Sequence, residues 1–173
     1  ESRGIAVRKI MDDYSLYISQ HNIQAVQINP ESRYEVSDYE IRHWNNLDQD
    51  FWSAYKISSK ILGEYNVQPL KFFKLSKLDN EGNYKELVFN NHYTYGYFRN
   101  DGTLYKIYQP KNKVSKFIKV CDYIQGSEQM KYEAKYLIIT KSLKDIMAFK
   151  VLGIGNLEVI SPDSENTIIS DHF

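Results

Sequence analysis

The chain has 173 residues, 42% of them hydrophobic and 25% charged, which is typical of a folded globular protein and not of a disordered one. Its 22 basic residues balance 22 acidic ones, which excludes a uniformly basic nucleic-acid-binding protein but still allows one positive face. There is no apolar run of the roughly 18 residues that a membrane-spanning helix needs and no signal peptide, so we expect a soluble protein of the cytoplasm (a host cell's, if the gene is phage-borne) with no membrane partner.

The first 69 residues divide into a segment of uncertain structure and a helical pair. Residues 1–33 end in Asn-Pro and polar residues, which indicates a terminal segment or linker. Residues 34–69 are predicted to contain a helical hairpin. Caps and acids near Asp48 begin its first helix, and Ser58 and Ser59 begin the second.

Residues 70–134 are predicted to form an antiparallel, strand-rich core. Aromatic and β-branched residues fill five runs, at 70–73, 84–89, 93–98, 104–108 and 117–120. Polar turns separate these runs, including 79–82 and an Asn-Asp-Gly at 100–102, which is a strong hairpin signal.

Residues 135–173 are predicted to begin an α/β domain. The apolar run 136–140 is typical of a parallel strand buried on both faces. Ser142 and Asp145 then have the spacing of a helix cap, and Gly153 ends the helix. A second strand at 158–162 completes a β-α-β unit with a right-handed crossover. The predicted fold class is therefore α+β: a helical hairpin, a largely antiparallel sheet and a β-α-β unit.

Five lysines and no acid lie between residues 102 and 121, which makes this the most basic part of the chain. Strand alternation places Lys106 on the face opposite Tyr105 and Ile107. Lys111, Lys113 and Lys116 follow in a loop. We predict that these four lysines bind nucleic acid or nucleotide phosphates, the alternative being a solvated face. The aromatic residues Tyr93, Tyr95, Tyr97 and Phe98 fit either base stacking or, more commonly at this spacing, the core.

Four short motifs, in this order, resemble phage-type DNA primases over roughly residues 38–170. The first is Asp48-x-x-Phe51-Trp52 followed by Leu62-x-x-Tyr65-Asn66-Val67-x-Pro69, and the second is Tyr97-Phe98 with Asp101-Gly102 and Tyr105-Lys106-Ile107-Tyr108-Gln109-Pro110. The third is Thr140-Lys141-Ser142-x-Lys144-Asp145 with Leu152-Gly153-Ile154. The fourth is Pro162-Asp163-Ser164-Glu165-Asn166-Thr167. The third resembles the start of a Toprim domain, whose common pattern is Glu-Gly-x-x-Asp. Lys141 and Ser142 stand where that pattern has glutamate and glycine, and Asp145 matches its aspartate.

The resemblance implies part of an enzyme that makes short RNA primers on single-stranded DNA from ribonucleoside triphosphates. It also implies Mg²⁺ or Mn²⁺ in the complete enzyme and a replicative helicase as partner, in the same chain or separate. Asp145 and Glu165 are the candidate catalytic and metal-binding acids, and Lys141 is a candidate catalytic residue that contacts phosphate. A zinc site built on paired cysteines is excluded because Cys121 is the only cysteine.

Several alternatives stay open. Asp145 fits a helix cap as well as a metal ligand, and Lys141 fits a solvated loop. The Toprim pattern has an Asp-x-Asp pair after the β-α-β unit, and none follows it here; Asp48-Gln49-Asp50, which has this spacing, lies far ahead of the unit. We therefore expect this chain by itself to bind catalytic metal weakly and to make no primers. Instead of part of a primase, the chain could be a non-catalytic single-stranded-DNA-binding module or a fragment of a Toprim nuclease. The extent of the natural open reading frame distinguishes the three.

Overall fold

A computed structural model describes residues 34–78 and 83–162 and confirms the α+β class. Residues 1–33, the predicted turn at 79–82 and the segment 163–173, which includes Glu165, lie outside the described residues. The described strands are β1 (Glu35–Ile41), β2 (Val67–Leu78), β3 (Tyr84–Phe89), β4 (Tyr95–Phe98), β5 (Leu104–Tyr108), β6 (Phe117–Lys119), β7 (Tyr136–Ile139) and β8 (Leu157–Ile160). The helices are α1 (Asn46–Ser53), α2 (Ser59–Glu64) and α3 (Leu143–Leu152), with a short 3-10 turn at Ser127–Gln129.

Strands β1 to β6 form one antiparallel sheet in the order β1-β2-β4-β5-β6. The long strand β2 pairs with β1 along one edge. Along its other edge it pairs first with β4 and then, further along, with β3. Because β5 has neighbours on both sides and helices over one face, all five of its residues are buried.

The segment 34–69 contains more than the predicted helical hairpin. Its first part is β1, and β2 begins at Val67, before Pro69. Strand β1 has the sequence Glu-Val-Ser-Asp-Tyr-Glu-Ile and is mostly exposed, as an edge strand rich in acids is expected to be. Local pattern did not predict it, since its hydrogen-bond partners lie in β2, some 30 residues further along the chain.

The helical hairpin itself is confirmed, and its caps explain where each helix starts. Asn45 and Asp48 form a capping box at the start of α1, each side chain accepting from the other residue's backbone N–H. The hydroxyl of Ser58 accepts from the N–H of Ile61 at the start of α2. The helices cover one face of the sheet, where Trp52 and Leu62 join the core.

Residues 136–160 form the predicted β-α-β unit. Strands β7 and β8 pair in parallel, and α3 begins at the Ser142 cap and ends at Gly153, whose φ is +62°. The apolar face of α3 enters the core beneath α1 and α2 through Leu143, Ile146 and Met147. The unit therefore packs against the antiparallel sheet and shares its larger core.

Strand β7 is not buried on both faces, and that prediction was wrong. Tyr136, Leu137 and Ile139 are between 49% and 59% exposed. Within the described residues the parallel sheet has two strands, with the antiparallel bridge of Gln125 to Ser161 next to β8. An apolar run of this kind is buried only when further elements cover it.

No helix among residues 34–78 and 83–162 is long and apolar enough to cross a membrane.

Candidate nucleic-acid interface

The loop between β5 and β6, residues 109–116, is held in place by two buried or half-buried polar side chains. The backbone N–H of Gln109 donates to the carbonyl of Lys116, and its side-chain amide donates to the carbonyl of Ser115. Asn112 Oδ1 accepts from the N–H groups of Val114 and Ser115, at 2.9 Å each. With its backbone satisfied in this way, the loop holds its lysines on the surface.

Lys111, Lys113 and Lys116 are all exposed on this loop, as predicted. Lys111 extends toward the core face, where its Nζ lies 5.5 Å from the ring centroid of the half-buried Tyr93. The next lysine along, Lys119 on β6, forms an ion pair with Asp122. The three loop lysines thus form the positive part of this face.

Lys106 is placed differently from the prediction, since it is buried, at 6% exposure. Its Cα partner in β4 is Tyr97, so its side chain lies on the face that the helices cover. One extra residue in β5, Tyr105, shifts the register between Tyr97 and Phe98, and simple alternation fails there. Lys106 Nζ lies 5.4 Å from the ring centroid of Phe117 on β6.

Two further residues, not predicted as functional, extend this face to α3. Lys144, in the first turn of α3, has its Nζ 4.2 Å from the ring centroid of Tyr55, just after α1. Tyr55 contacts Phe51 at 5.5 Å, and Phe51 in turn contacts Tyr93 at 5.9 Å. A continuous row of rings therefore joins the lysine of α3 to Lys111 in the loop. Phe117 joins this row through the buried Tyr108, which contacts Phe51 at 6.4 Å. We call this the lysine–aromatic surface: Tyr55, Phe51, Tyr93, Phe117, Lys111 and Lys144.

Most of the aromatic residues named in the sequence as base-stacking candidates belong to the core. Tyr95 and Tyr97 are at most 1% exposed and Phe98 is 7% exposed. Burial is the largest cause that raises the pKa of Tyr97 well above its ordinary value, and the charges of neighbouring groups raise it further. These three rings cannot reach a bound base, and the core interpretation is confirmed for them.

Asp145 sits at the N-terminus of α3, where its carboxylate accepts from two hydroxyls. Its Oδ2 lies 2.9 Å from Ser142 Oγ and 3.2 Å from Thr140 Oγ1. Burial is the main reason that the pKa of Tyr108 is raised to about 12, and a neighbouring tyrosine and then the charge of Asp145 contribute less. Asp145 therefore stabilises the start of α3, where an acid interacts favourably with the helix dipole.

The described residues alone do not fit the divalent-metal site that the resemblance implies. Hard cations such as Mg²⁺ take several oxygen ligands, and Asp145 is one carboxylate already held by hydroxyls. Within the described part of the chain, no group of three or more His, Cys, Asp or Glu side chains could hold a metal ion. Glu165, the second candidate, lies outside the described residues, so no chemical step is derived through a metal.

Lys141 follows β7 directly, at the carboxyl end of the parallel pair, as predicted. The residue before it, Thr140, donates its N–H to the carbonyl of Ile160, and the residue after it, Ser142, caps α3. Lys141 is exposed. Its position suits contact with an anion at this edge of the sheet, where sites on open α/β sheets collect.

Tyr55, Phe117 and Lys144 were not predicted to be functional from the sequence. Phe117 had a strand signal, and Tyr55 a helix-face signal, each of which ordinarily indicates core. Lys144 stood within the Thr-Lys-Ser-x-Lys-Asp motif without an assigned role. Only the contacts of Lys144 with Tyr55 and of Phe117 with Tyr108 reveal that they belong with the lysine loop.

A β-α-β unit with a capped helix occurs in many folds with different functions. No protein-family model matches this chain, and it matches no curated protein and no solved structure.

Proposed function

We propose that this chain is part of a phage-type DNA primase and that the lysine–aromatic surface, with the β5–β6 loop, holds the single-stranded DNA template. The observation that carries the proposal is the convergence of Lys111 and Lys144 on one row of aromatic rings, beside the exposed loop lysines. A chain with zero net charge thus concentrates cations on one face. Such a face attracts a polyanion through phosphate contacts and the release of counterions.

The β-α-β unit supports the primase part of the proposal. Its order of strand, Lys141, capped helix with Asp145 and second strand is the order that the Toprim resemblance implies. This unit and the lysine loop contact one core, since Leu143 and Tyr108 belong to the same cluster. A template held on the surface would therefore run close to the carboxyl end of β7.

The remaining parts of the proposal concern the complete protein. Primer synthesis from ribonucleoside triphosphates would need Mg²⁺ or Mn²⁺ with ligands beyond Asp145. Lys141 would contact a template or nucleotide phosphate as a point charge. A Lys141→Ala variant of the complete enzyme that primed at the normal rate would show that Lys141 has no such role.

The template proposal is tested by reversing the charge of the loop. We expect the triple variant Lys111→Glu, Lys113→Glu and Lys116→Glu to bind a fluorescent single-stranded oligonucleotide on the order of tenfold more weakly at low salt, because three lysines no longer neutralise phosphates. We also expect a shallower dependence of log affinity on log salt, by about 0.7 for each phosphate that is no longer neutralised. Fluorescence anisotropy at several salt concentrations measures both quantities.

The matched control is the triple variant Lys71→Glu, Lys77→Glu and Lys85→Glu. These lysines lie on β2 and β3, toward the other end of the strand order, and the change in net charge is the same. We expect this control to retain most of the affinity. An equal weakening in the two variants would mean that net charge alone decides binding, and unchanged affinity in the loop variant would overturn the proposal.

A further inference from the structure

We infer that Tyr55 and Phe117 are stacking platforms for unpaired bases, so that the lysine–aromatic surface recognises the bases of a single strand as well as its phosphates. This inference rests on the proposed function, since it concerns the same surface. Of the four rings that the sequence offered for the core or for stacking, Tyr95, Tyr97 and Phe98 are buried and Tyr93 is half-buried. Each of these two rings, Tyr55 and Phe117, is exposed, has a lysine ammonium group near it and contacts the buried aromatic cluster directly or through Phe51, and the last property distinguishes them from other exposed rings.

Tyr55 is the first platform. It is 43% exposed although its neighbour Trp52 is 1% exposed, so the end of α1 turns this ring outward. Phe51 contacts it edge-on at an interplanar angle of 65°. Lys144 Nζ lies over one face of the ring, 4.2 Å from its centroid, so a base would stack on the other face with a cation close by.

Phe117 is the second platform. Its ring stacks on Tyr108 at 4.9 Å with an interplanar angle of 14°, and Tyr108 is 2% exposed. Phe117 itself is 44% exposed, so one side covers the core and the rest meets solvent. A base placed on the outer side would continue a stack that already contains two rings.

Both rings belong to one connected group of aromatic side chains. Phe117 stacks on Tyr108, and Phe51, which contacts Tyr55 at 5.5 Å, also contacts Tyr108 at 6.4 Å. In a duplex the faces of the bases are covered by neighbouring bases, so only a single strand can offer a base to each ring. The surface should therefore prefer unpaired nucleotides over phosphates alone.

The test compares two ligands on the 173-residue chain: a fluorescent oligothymidylate and an abasic oligonucleotide of the same length and charge. We expect the wild-type chain to bind the oligothymidylate at least about fivefold more tightly, because each stacked base contributes binding that phosphates do not. The double variant Tyr55→Leu, Phe117→Leu should bind both ligands alike. The urea unfolding midpoint of the double variant is measured alongside to check that it is folded. The comparison of the two ligands on the wild-type chain does not depend on any variant.

Tyr136→Leu is the matched control, because Tyr136 is 59% exposed and lies under Lys135 at the opposite end of β7. This variant should keep the preference for the oligothymidylate. Equal wild-type affinity for the two ligands would overturn base stacking while leaving the phosphate-binding surface intact. Binding of neither ligand would overturn both proposals, and disappearance of the preference in Tyr136→Leu would contradict stacking on Tyr55 and Phe117.

Discussion

Asp48 is fully buried, and four hydrogen bonds converge on its two carboxylate oxygens. Arg42 donates twice, at 2.5 Å and 2.8 Å, the hydroxyl of Tyr95 donates at 3.0 Å, and the N–H of Asn45 donates at 3.0 Å. Burial alone would raise the pKa of Asp48. The hydrogen bonds and the charge of Arg42 outweigh that effect, and the pKa lies below its ordinary value. One charged residue thus joins β1, the start of α1 and β4.

We expect Asp48→Asn to destabilise the fold by about 3 kcal/mol at pH 7, because it leaves the largely buried Arg42 guanidinium without its anion. A lowered folded-state pKa means that the carboxylate stabilises the protein above the unfolded-state pKa of about 3.9 and loses that effect as the pH falls further. Urea unfolding of wild type and variant should therefore give a large difference at pH 7 that shrinks below about pH 4.

Asp50→Asn provides the comparison for Asp48, since Asp50 is on the same helix and exposed. Its effect should stay within about 0.5 kcal/mol. A difference between Asp48→Asn and wild type that did not depend on pH would contradict the assigned ionic network.

At the scale of the elements, local chemistry accounts for where most helices and strands lie. Strands β3 and β5 occupy the predicted ranges, and Ser58, Ser142 and Gly153 bound their helices as predicted. Each of these signals involves residues that are neighbours in sequence. Strand β1 was not predicted, and β2 was predicted to be too short. The two strands pair with each other across the chain, and the register of this pair includes bulges, so neither has a simple local pattern.

We expect Ser142→Ala to lower the free energy of unfolding by about 1 kcal/mol, since α3 loses its N-cap. The Ser142 hydroxyl accepts from the N–H of Asp145 and also donates to its carboxylate, so one substitution removes both hydrogen bonds. Ser59→Ala, at the exposed first residue of α2, should change stability little because Ser58 provides that cap. Thermal unfolding of the two variants measures the difference, and equal effects would contradict capping by Ser142.

Over residues 34–78 and 83–162 as a whole, two sheets share one aromatic core. Rings from β4 and β5 lie in the same buried cluster as side chains of α1, α2 and α3. The segment after β6 completes the connection. Gly126 there has a φ of +85°, and a Cβ at this position would lie 2.8 Å from the carbonyl oxygen of Val159 on β8.

We expect Gly126→Ala to destabilise the fold by roughly 1–3 kcal/mol, because the side chain meets backbone and the residue needs a positive φ. Gly63→Ala is the control: nothing lies within 4 Å of its Cβ position, and it is in α2. Alanine is the better helix former, so this variant should be more stable by up to about 1 kcal/mol. Urea unfolding should show changes in the free energy of unfolding that have opposite signs for the two variants. No change for Gly126→Ala would mean that β8 does not pack against this segment.

The α+β class, the helix caps, the β-α-β unit and the loop position of Lys111, Lys113 and Lys116 could all be predicted from the amino-acid sequence. These follow from turn residues, apolar periodicity and local hydrogen bonds, all of which act over a few residues. Packing between segments was needed to show that Lys106 is buried, that β7 has exposed apolar residues and that Lys144 lies over Tyr55, and it confirmed the core position that strand spacing favoured for Tyr95 and Tyr97. Burial depends on which segments pack together, and local periodicity does not specify that. The bulge at Tyr105 depends on the pairing of β5 with β4, and Lys144 meets Tyr55 although the two are far apart in the chain.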